Sequence, residues 1–139
     1  MSVNIRPAEQ GDFIQIIELF KEFAAFEQLP DKMINSVDRM IKEKDFFNCF
    51  VAETSDKKII GYVTYFFCYY TWTGKSLYMD DLYVTQAYRT NGIGTRLLNK
   101  VIEFAKTFIG TPHIMSGTSK KGMDCSGLIM IVHKEYGVI

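Results

Sequence analysis

One segment of the sequence constrains the fold more than any other. A mostly apolar run from Tyr78 to Val84 predicts a strand, and Gly92 and Gly94 then open a helix that continues to about Phe108. The apolar stripe of this helix has the spacing of an amphipathic α-helix and consists of Ile93, Leu97, Leu98, Val101, Phe104, Ala105 and Phe108. A strand followed by such a helix predicts a sheet on which helices pack.

The rest of the chain predicts an α+β fold in the order strand, helix, helix, three strands, helix, strand. Asp12, with Gln15 three residues later, predicts a capping box at the start of the first helix. Apolar periodicity predicts helices over 13–24, 34–44 and 92–108. Alternating or β-branched and aromatic runs predict strands over 3–6, 47–53, 59–70 and 76–84, with further strands near 113–118 and 128–132. The sheet is expected to be largely antiparallel.

Length and composition limit the class of protein. The 139 residues suffice for one domain, which we expect to span residues 1–139. A hydrophobic fraction of 47% excludes intrinsic disorder. Because 16 basic residues balance 16 acidic ones, a nucleic-acid partner is not expected. No apolar run approaches the roughly 20 residues of a membrane span, so no membrane partner is expected either.

The N-terminus and the cysteines bear on location and on metal binding. Residues 1–12 are polar and lack the apolar region of a secretory signal, so we expect a cytoplasmic protein. Cys49, Cys68 and Cys125 are odd in number and share no C-x-x-C spacing. We therefore expect reduced thiols, without a disulfide framework or a bound metal.

The glycine turn before the third helix has two interpretations. The first N–H groups of a helix lack intrahelical partners and lie at the positive end of the helix dipole, which suits a phosphate. Gly92 and Gly94 would let such a ligand approach the backbone, and Arg89 would add a charge-assisted contact. The alternative is that both glycines only permit tight packing. The segment is neither a P-loop nor a complete G-x-G-x-x-G motif.

The same segment carries a family signature. Arg89-Thr90-Asn91-Gly92-Ile93-Gly94 matches R/Q-x-x-G-x-G/A, and the sequence resembles the GNAT superfamily of acyl-CoA N-acyltransferases from Ile5 to about Ala105. Other typical stretches are Arg6-Pro7-Ala8, Phe50-Val51-Ala52-Glu53 and Ile60-Gly61-Tyr62. The spermidine/spermine N-acetyltransferase branch is similar at Tyr65-Phe66-Phe67, Trp72-Thr73-Gly74-Lys75 and Leu77-Tyr78-Met79-Asp80-Asp81. The resemblance implies a three-layer α/β/α fold with a mixed, mostly antiparallel sheet.

The resemblance also implies a reaction and a cosubstrate. An acetyl group would pass from acetyl-CoA to a primary amine, such as a polyamine or diamine, by direct attack in a ternary complex. The diphosphate would lie on the turn, whose matching residues are Arg89, Thr90, Asn91, Gly92, Ile93, Gly94 and Thr95. The pantetheine arm would pair like an added strand with the backbone of Leu82, Tyr83 and Val84. A bulge usually opens the sheet at this point in the family.

Candidate catalytic and substrate residues follow from the same resemblance. Asp80 is the candidate base or cation anchor, acting directly or through water; the alternative is a solvated or salt-bridged carboxylate. Asp81 would point to the opposite face of a regular strand unless a bulge redirects it. The Leu82 N–H is the candidate donor to the carbonyl oxygen that gains charge. Phe26 and Glu27 occupy the place of an aromatic and acidic pair near the substrate.

The C-terminal part departs from the family after about Ala105 and is interpreted as atypical or truncated. The helix that in this family usually carries the tyrosine acting as general acid is not recognisable there. Tyr136 is the substitute candidate for the acid that protonates the thiolate; the alternative is a surface tyrosine. In the family that helix covers part of the sheet. Without it, a neighbouring subunit can complete the sheet, so we expect a homodimer. Two other functions stay open: a coenzyme-A-binding protein with weak or no catalysis, and a non-enzymatic dimerisation module.

Overall fold

One five-stranded sheet organises the chain. The computed structural model describes residues 2–72, 74–109 and 114–116, with the backbone alone described for 108, 109 and 114–116. The strands are β1 (Val3–Pro7), β2 (Asn48–Thr54), β3 (Ile59–Tyr70), β4 (Gly74–Val84) and β5 (Ile114–Ser116). They lie side by side in this order; β1 to β4 are antiparallel neighbours and β5 is parallel to β4. The mixed, mostly antiparallel sheet is therefore confirmed.

Three helices cover the two faces of the sheet. They are α1 (Phe13–Phe26), α2 (Val37–Lys42) and α3 (Ile93–Ile109). On one side, here called the α1 face, Ile16 and Met40 from the helices share a core with Tyr62 from β3. On the other side, the α3 face, Leu97 and Val101 share a core with Val63 and other strand residues. This arrangement confirms the expected three-layer α/β/α fold.

The second helix is shorter than its apolar pattern predicts. It begins after Ser36, whose hydroxyl accepts a hydrogen bond from the Arg39 N–H at 3.1 Å, and it ends at Lys42. A serine in this position stabilises a helix start because it satisfies one of the unpaired N–H groups. The expected helix over 34–44 is therefore wrong at its start, and Ile34 lies before it with an exposed side chain.

The predicted capping box at Asp12 and Gln15 is wrong. The Asp12 carboxylate accepts a hydrogen bond from the Glu9 N–H at 2.7 Å and two from Arg6, at 2.8 and 2.9 Å. Arg6 also donates two hydrogen bonds, of 2.9 and 3.1 Å, to Glu53 on β2. Gln15 instead accepts a bond from the Ile59 N–H at 2.9 Å. Arg6 thus joins β1, β2 and the turn before α1.

The Arg6 guanidinium makes stability depend on pH. Its hydrogen bonds hold the pKa values of the Asp12 and Glu53 carboxyls below their usual range. Groups with lowered pKa values stabilise the fold above the pKa of the unfolded chain, about 4, and this stabilisation is lost as the pH falls through the folded-state values. Acid should therefore destabilise the protein through this cluster.

Arg6→Met should lower the melting temperature at pH 7 by roughly 5 °C, because two partly buried carboxylates lose their shared partner. The variant should also lose less stability than the wild type as the pH falls below about 4. Thermal unfolding between pH 3 and 7 measures both effects. Lys21→Met is the control, since Lys21 pairs with Glu18 at 3.7 Å on an exposed surface and its loss should change little. Equal effects of the two variants would contradict this assignment.

Candidate functional site

The start of α3 presents unpaired backbone N–H groups. The first backbone hydrogen bond of this helix runs from the Arg96 N–H to the Gly92 carbonyl at 3.0 Å. The N–H groups of Ile93, Gly94 and Thr95 therefore precede the hydrogen-bond ladder of the helix. With the positive end of the helix dipole, they give the start of this 17-residue helix a geometry that suits an anion.

The two glycines of the turn have different roles. Gly92 has φ +76°, and a Cβ added there would meet no atom within 4 Å. Gly94 faces the sheet, where an added Cβ would lie 3.5 Å from a methyl group of Leu82 and 3.9 Å from one of Val84. Tight packing therefore does not account for Gly92, whose left-handed backbone is what favours glycine. Gly94 has room for a methyl group and little more.

The outer edge of β4 carries the N–H groups of Leu82 and Val84. The Asp81 N–H donates to the Thr64 hydroxyl at 3.1 Å, and the Thr85 N–H donates to the Ile60 carbonyl at 2.9 Å. Both acceptors lie on β3, and backbone N–H groups alternate between the two edges of a strand. The backbone N–H groups of Leu82 and Val84 therefore point away from β3, towards the outer edge of the strand.

Among the described residues, β5 pairs with this outer edge only at residues 77–79 of β4. The Leu82 N–H thus lies on a stretch of edge that has no strand partner in the described part of the chain. Tyr83 differs from its neighbours, because its backbone groups face β3, where it stands opposite Tyr62. Of the three residues selected from the sequence, Leu82 and Val84 thus present backbone groups at the outer edge, whereas Tyr83 does not.

A β-bulge interrupts β4 opposite Thr64. This one residue of β3 stands opposite two residues of β4, Asp80 and Asp81. Met79 is buried in the core of the α3 face, and Leu82 packs against the same core. In a regular strand, residues three apart lie on opposite faces, so the bulge must turn both aspartates to the α1 face. Asp81 was expected on the opposite face of the strand unless a bulge redirects it. The bulge is present, and Asp81 lies on the same face as Asp80.

The aspartates open into a cavity of about 770 Å³ between the sheet, the end of α1 and α2. Its wall includes four carboxylates, those of Glu27, Glu43, Asp80 and Asp81. Aromatic side chains also line it, namely Phe20, Phe23, Phe46, Phe47, Tyr62, Tyr65 and Phe66. Carboxylates combined with aromatic faces suit a cation attached to an apolar chain.

Glu27 reaches this cavity because of the way α1 ends. Gln28 adopts φ +60°, and the Leu29 N–H donates to the Ala24 carbonyl at 2.9 Å. Pro30 then starts a short 3-10 turn and prevents the helix from continuing. The chain therefore turns sharply at the point where Glu27 joins the cavity wall.

Arg89 connects the turn before α3 to helix α1. Its Nε donates to the Val84 carbonyl at 2.7 Å. Its guanidinium carbon lies 4.9 Å from the centre of the Phe26 ring and 5.2 Å from that of Tyr83. Phe26 is 56% exposed and does not belong to the cavity wall. The structure thus places Phe26 against Arg89 and separates it from Glu27.

Comparison with known proteins identifies the family. The model of the acetyltransferase (GNAT) family matches residues 13–123, more than half of the chain. The chain belongs to the GNAT family. A pig thialysine N-epsilon-acetyltransferase is 37% identical over 115 residues, which cover 75% of this chain and 68% of that protein. The human spermidine/spermine N(1)-acetyltransferase-like protein 1 is 39% identical over 114 residues, 75% of this chain and 16% of that protein. The chain is thus an N-acetyltransferase, as its signature predicts.

Solved structures share the GNAT fold. A predicted acetyltransferase from Clostridium acetobutylicum, solved with acetyl-CoA, has 25% sequence identity and a TM-score of 0.67, covering 99% of this chain and 90% of that one. An aminoglycoside acetyltransferase from a soil metagenome, solved with sisomicin, has 21% identity and a TM-score of 0.72, covering 94% and 86%. The second likeness concerns the fold alone.

The structure brings some of the predicted site residues together at the cavity and the outer edge of β4, and it places others elsewhere. Asp80, Asp81 and Glu27 share the cavity, and the Leu82 N–H lies on the edge beside it. Trp72 is 97% exposed at the end of the β3–β4 hairpin and does not line the cavity. Tyr136 lies outside the described residues. Within the described part, no group of three His, Cys, Asp or Glu side chains is arranged to hold a metal, and no helix has the length and apolarity to cross a membrane.

Sequence reasoning missed three polar residues of the cavity wall. Thr64 accepts the hydrogen bond at the bulge, while Lys32 and Arg39 add positive charge to the cavity wall. No motif marks these residues, because their positions depend on strand register and on the chain between α1 and α2. Glu22 of α1 lies outside the cavity and accepts a hydrogen bond from the Thr85 hydroxyl at 2.9 Å.

The environment of Tyr83 reflects this placement of Glu22. Burial, together with the neighbouring Glu22 carboxylate, raises the pKa of Tyr83 to about 12. Its ring stacks on Phe23 of α1, with the ring centres 4.7 Å apart. Tyr83 and Glu22 thus hold α1 against the strand that leads to the anion-binding turn.

Proposed function

We propose that this protein transfers the acetyl group of acetyl-CoA to a primary amine of a small cationic molecule, such as a diamine or polyamine. The observation that carries this proposal is the bulge, which turns Asp80 and Asp81 into one cavity beside the open edge at Leu82. An acceptor held by the carboxylates would lie next to a cosubstrate held by the edge. The direct reaction of both in one ternary complex is part of the proposal.

The described residues fit coenzyme A. The N–H groups of Ile93, Gly94 and Thr95, with the neighbouring Thr90 and Asn91, would hold the diphosphate. Gly92 leaves open space beside them. Arg89 would contribute charge with the guanidinium nitrogens that its Nε bond to Val84 does not use. The neighbour from Clostridium acetobutylicum, solved with acetyl-CoA, supports this assignment.

Pairing with the outer edge of β4 would hold the pantetheine arm. Leu82 and Val84 are proposed to carry it, because their N–H groups face that edge. The Val84 carbonyl already accepts the Arg89 bond, so Val84 offers its N–H. Tyr83 is proposed to act only by holding β4 in place, since its backbone faces β3.

Bound acetyl-CoA would supply a thioester, and the amine nitrogen would form a bond to the acetyl carbon as the bond from that carbon to sulfur breaks. Asp80 would accept a proton from the ammonium group, directly or through water, because a protonated amine cannot attack. The Leu82 N–H would donate to the carbonyl oxygen as that oxygen gains negative charge. Tyr136 is proposed to protonate the departing thiolate. The nitrogen loses a second proton as the amide forms, and this proton would replace the one that Tyr136 gives up.

The charges of the cavity distinguish two classes of acceptor. Glu27, Asp80 and Asp81 favour a diamine or polyamine with two cationic groups. Lys32 and Arg39, which follow α1 in the chain, favour an amine that also carries a carboxylate, as an amino acid does. The names of the relatives include both classes, thialysine in pig and spermidine/spermine in human. We place the diamine class first because carboxylates outnumber cations in the wall.

The proposal is tested by thiol release from acetyl-CoA with polyamines, diamines, thialysine, lysine and aminoglycosides. We expect turnover with at least one diamine or polyamine, loss of turnover in Asp80→Asn, and a slower reaction in Tyr136→Phe. A preference for thialysine or lysine would overturn the acceptor class and keep the reaction. Binding of coenzyme A without turnover on any amine would support the alternative, a coenzyme-A-binding protein with weak or no catalysis.

The homodimer and the cytoplasmic location stay predictions. Large aromatic side chains are exposed on the β3–β4 hairpin and support a protein contact there, namely Phe66, Phe67, Tyr69 and Trp72. Light scattering at micromolar concentration is expected to give twice the chain mass. Monomer alone at that concentration would contradict the dimer.

A further inference from the structure

Thr64 occupies the one position of β3 that faces two residues of β4. Its side chain is 9% exposed and lines the same cavity as Asp80 and Asp81. Its hydroxyl oxygen accepts the hydrogen bond from the Asp81 N–H at 3.1 Å. A side chain thus supplies the acceptor at the point where the regular ladder between the two strands is interrupted.

This bond influences where the carboxylates point. A bulge leaves one residue outside the regular ladder, and a side chain of the partner strand can stabilise its conformation. If the Asp81 N–H lost the Thr64 hydroxyl as acceptor, β4 would lose one contact that fixes the bulged conformation. A change of one residue in register would return Asp81 to the α3 face, away from the cavity.

The Thr64 hydroxyl also retains a proton to donate. A hydroxyl has one donor and two acceptor positions, and the Asp81 N–H occupies one acceptor position. Because Thr64 lines the cavity, this donor position is open to a molecule bound there. Thr64 therefore combines a backbone contact with a donor group in the cavity wall.

We infer that Thr64 is a positioning residue that fixes the bulge and thereby aims Asp80 and Asp81 at the acceptor amine. The inference rests on the proposed function for its kinetic consequence, but its structural part can be tested without turnover. Valine keeps the branched shape of threonine and lacks the hydroxyl, whereas serine keeps the hydroxyl. These two substitutions separate the hydroxyl from the packing.

The structural test is amide hydrogen exchange at Asp81, followed by NMR. Thr64→Val should speed the exchange of the Asp81 N–H at least tenfold, and Thr64→Ser should leave it within about threefold of the wild type. Unchanged exchange in Thr64→Val would overturn the inference whether or not the protein acetylates amines.

The kinetic test uses steady-state rates with the best amine of the panel. Thr64→Val should lower kcat at least tenfold with the KM for acetyl-CoA within about twofold, since small displacements of catalytic groups reduce rates strongly. Thr64→Ser should restore most of the rate. Thr54→Val is the matched control, because Thr54 is also a buried threonine of the sheet, with a hydroxyl that accepts from the Lys58 N–H at 3.2 Å. Equal loss of kcat in Thr54→Val and Thr64→Val, or no rescue by serine, would overturn the inference.

Discussion

Asp80→Asn should lower kcat/KM for the acceptor amine by about 10²- to 10⁴-fold, the usual contribution of a general base. At pH 7 an alkylammonium group with a pKa of about 10 is almost entirely protonated, so the reaction needs a proton acceptor. Asparagine has nearly the same shape as aspartate and accepts no proton at neutral pH. The KM for acetyl-CoA should stay unchanged, because the start of α3 is not altered.

The pH dependence gives Asp80→Asn a second readout. As the pH rises towards 10, the fraction of free amine in solution increases and the variant should approach the wild-type rate. Glu43→Gln is the matched control, since it removes one carboxylate from the same cavity wall, at a position just after α2 and outside β4. It should raise the KM for the amine a few-fold and leave kcat unchanged. Equal kinetic effects of the two variants would show that Asp80 contributes charge alone.

Gly92→Ala should weaken coenzyme A binding at least tenfold, which corresponds to about 1.4 kcal/mol. The added methyl group would project into the open space beside the N–H groups that are proposed to hold the diphosphate. Alanine also disfavours the left-handed backbone at φ +76°, at a cost of about 1–2 kcal/mol. Calorimetric titration with coenzyme A and thermal unfolding measure the two effects separately.

Gly74 provides the control for backbone strain. It has φ +83°, and an added Cβ there would also meet no atom within 4 Å. It lies at the start of β4, and the cavity wall does not include it. Gly74→Ala and Gly92→Ala should therefore lose similar stability, while only Gly92→Ala should lose affinity for coenzyme A. Wild-type affinity in Gly92→Ala would show that this turn does not bind the cosubstrate.

The parts of the fold that sequence could predict are those with a local cause. The residues of the apolar stripe of α3 lie close together in the chain, as do those of the aromatic and β-branched run of β3, and the local pattern of each gives the type of element. The start of α2 and the role of Asp12 were predicted wrongly because the decisive partners compete: Ser36 supplies a better cap, and Arg6 takes the Asp12 carboxylate. Ser36 and Arg6 are both close in sequence to the elements they affect, whereas the link from Arg6 to Glu53, 47 residues away, leaves no local pattern.

The candidate site shows the same division. The turn from Arg89 to Thr95 could be identified because its residues are contiguous. The resemblance implied that a bulge opens the sheet near this point, but its position depends on the register between β3 and β4, which the sequence does not give. The contact of Phe26 with Arg89 could not be anticipated, because it depends on how α1 lies against the turn. The family resemblance selected Phe26 together with Glu27, but it did not predict that Phe26 contacts Arg89 and lies outside the cavity wall.

The central proposal is that the start of α3 holds the diphosphate of the cosubstrate beside the open edge of β4. Backbone NMR during titration with coenzyme A tests it most directly. The largest saturating shifts should occur at the amides of Ile93, Gly94 and Thr95, with smaller ones at Leu82 and Val84. Shifts confined to other parts of the sheet, or none at millimolar coenzyme A, would contradict the proposal.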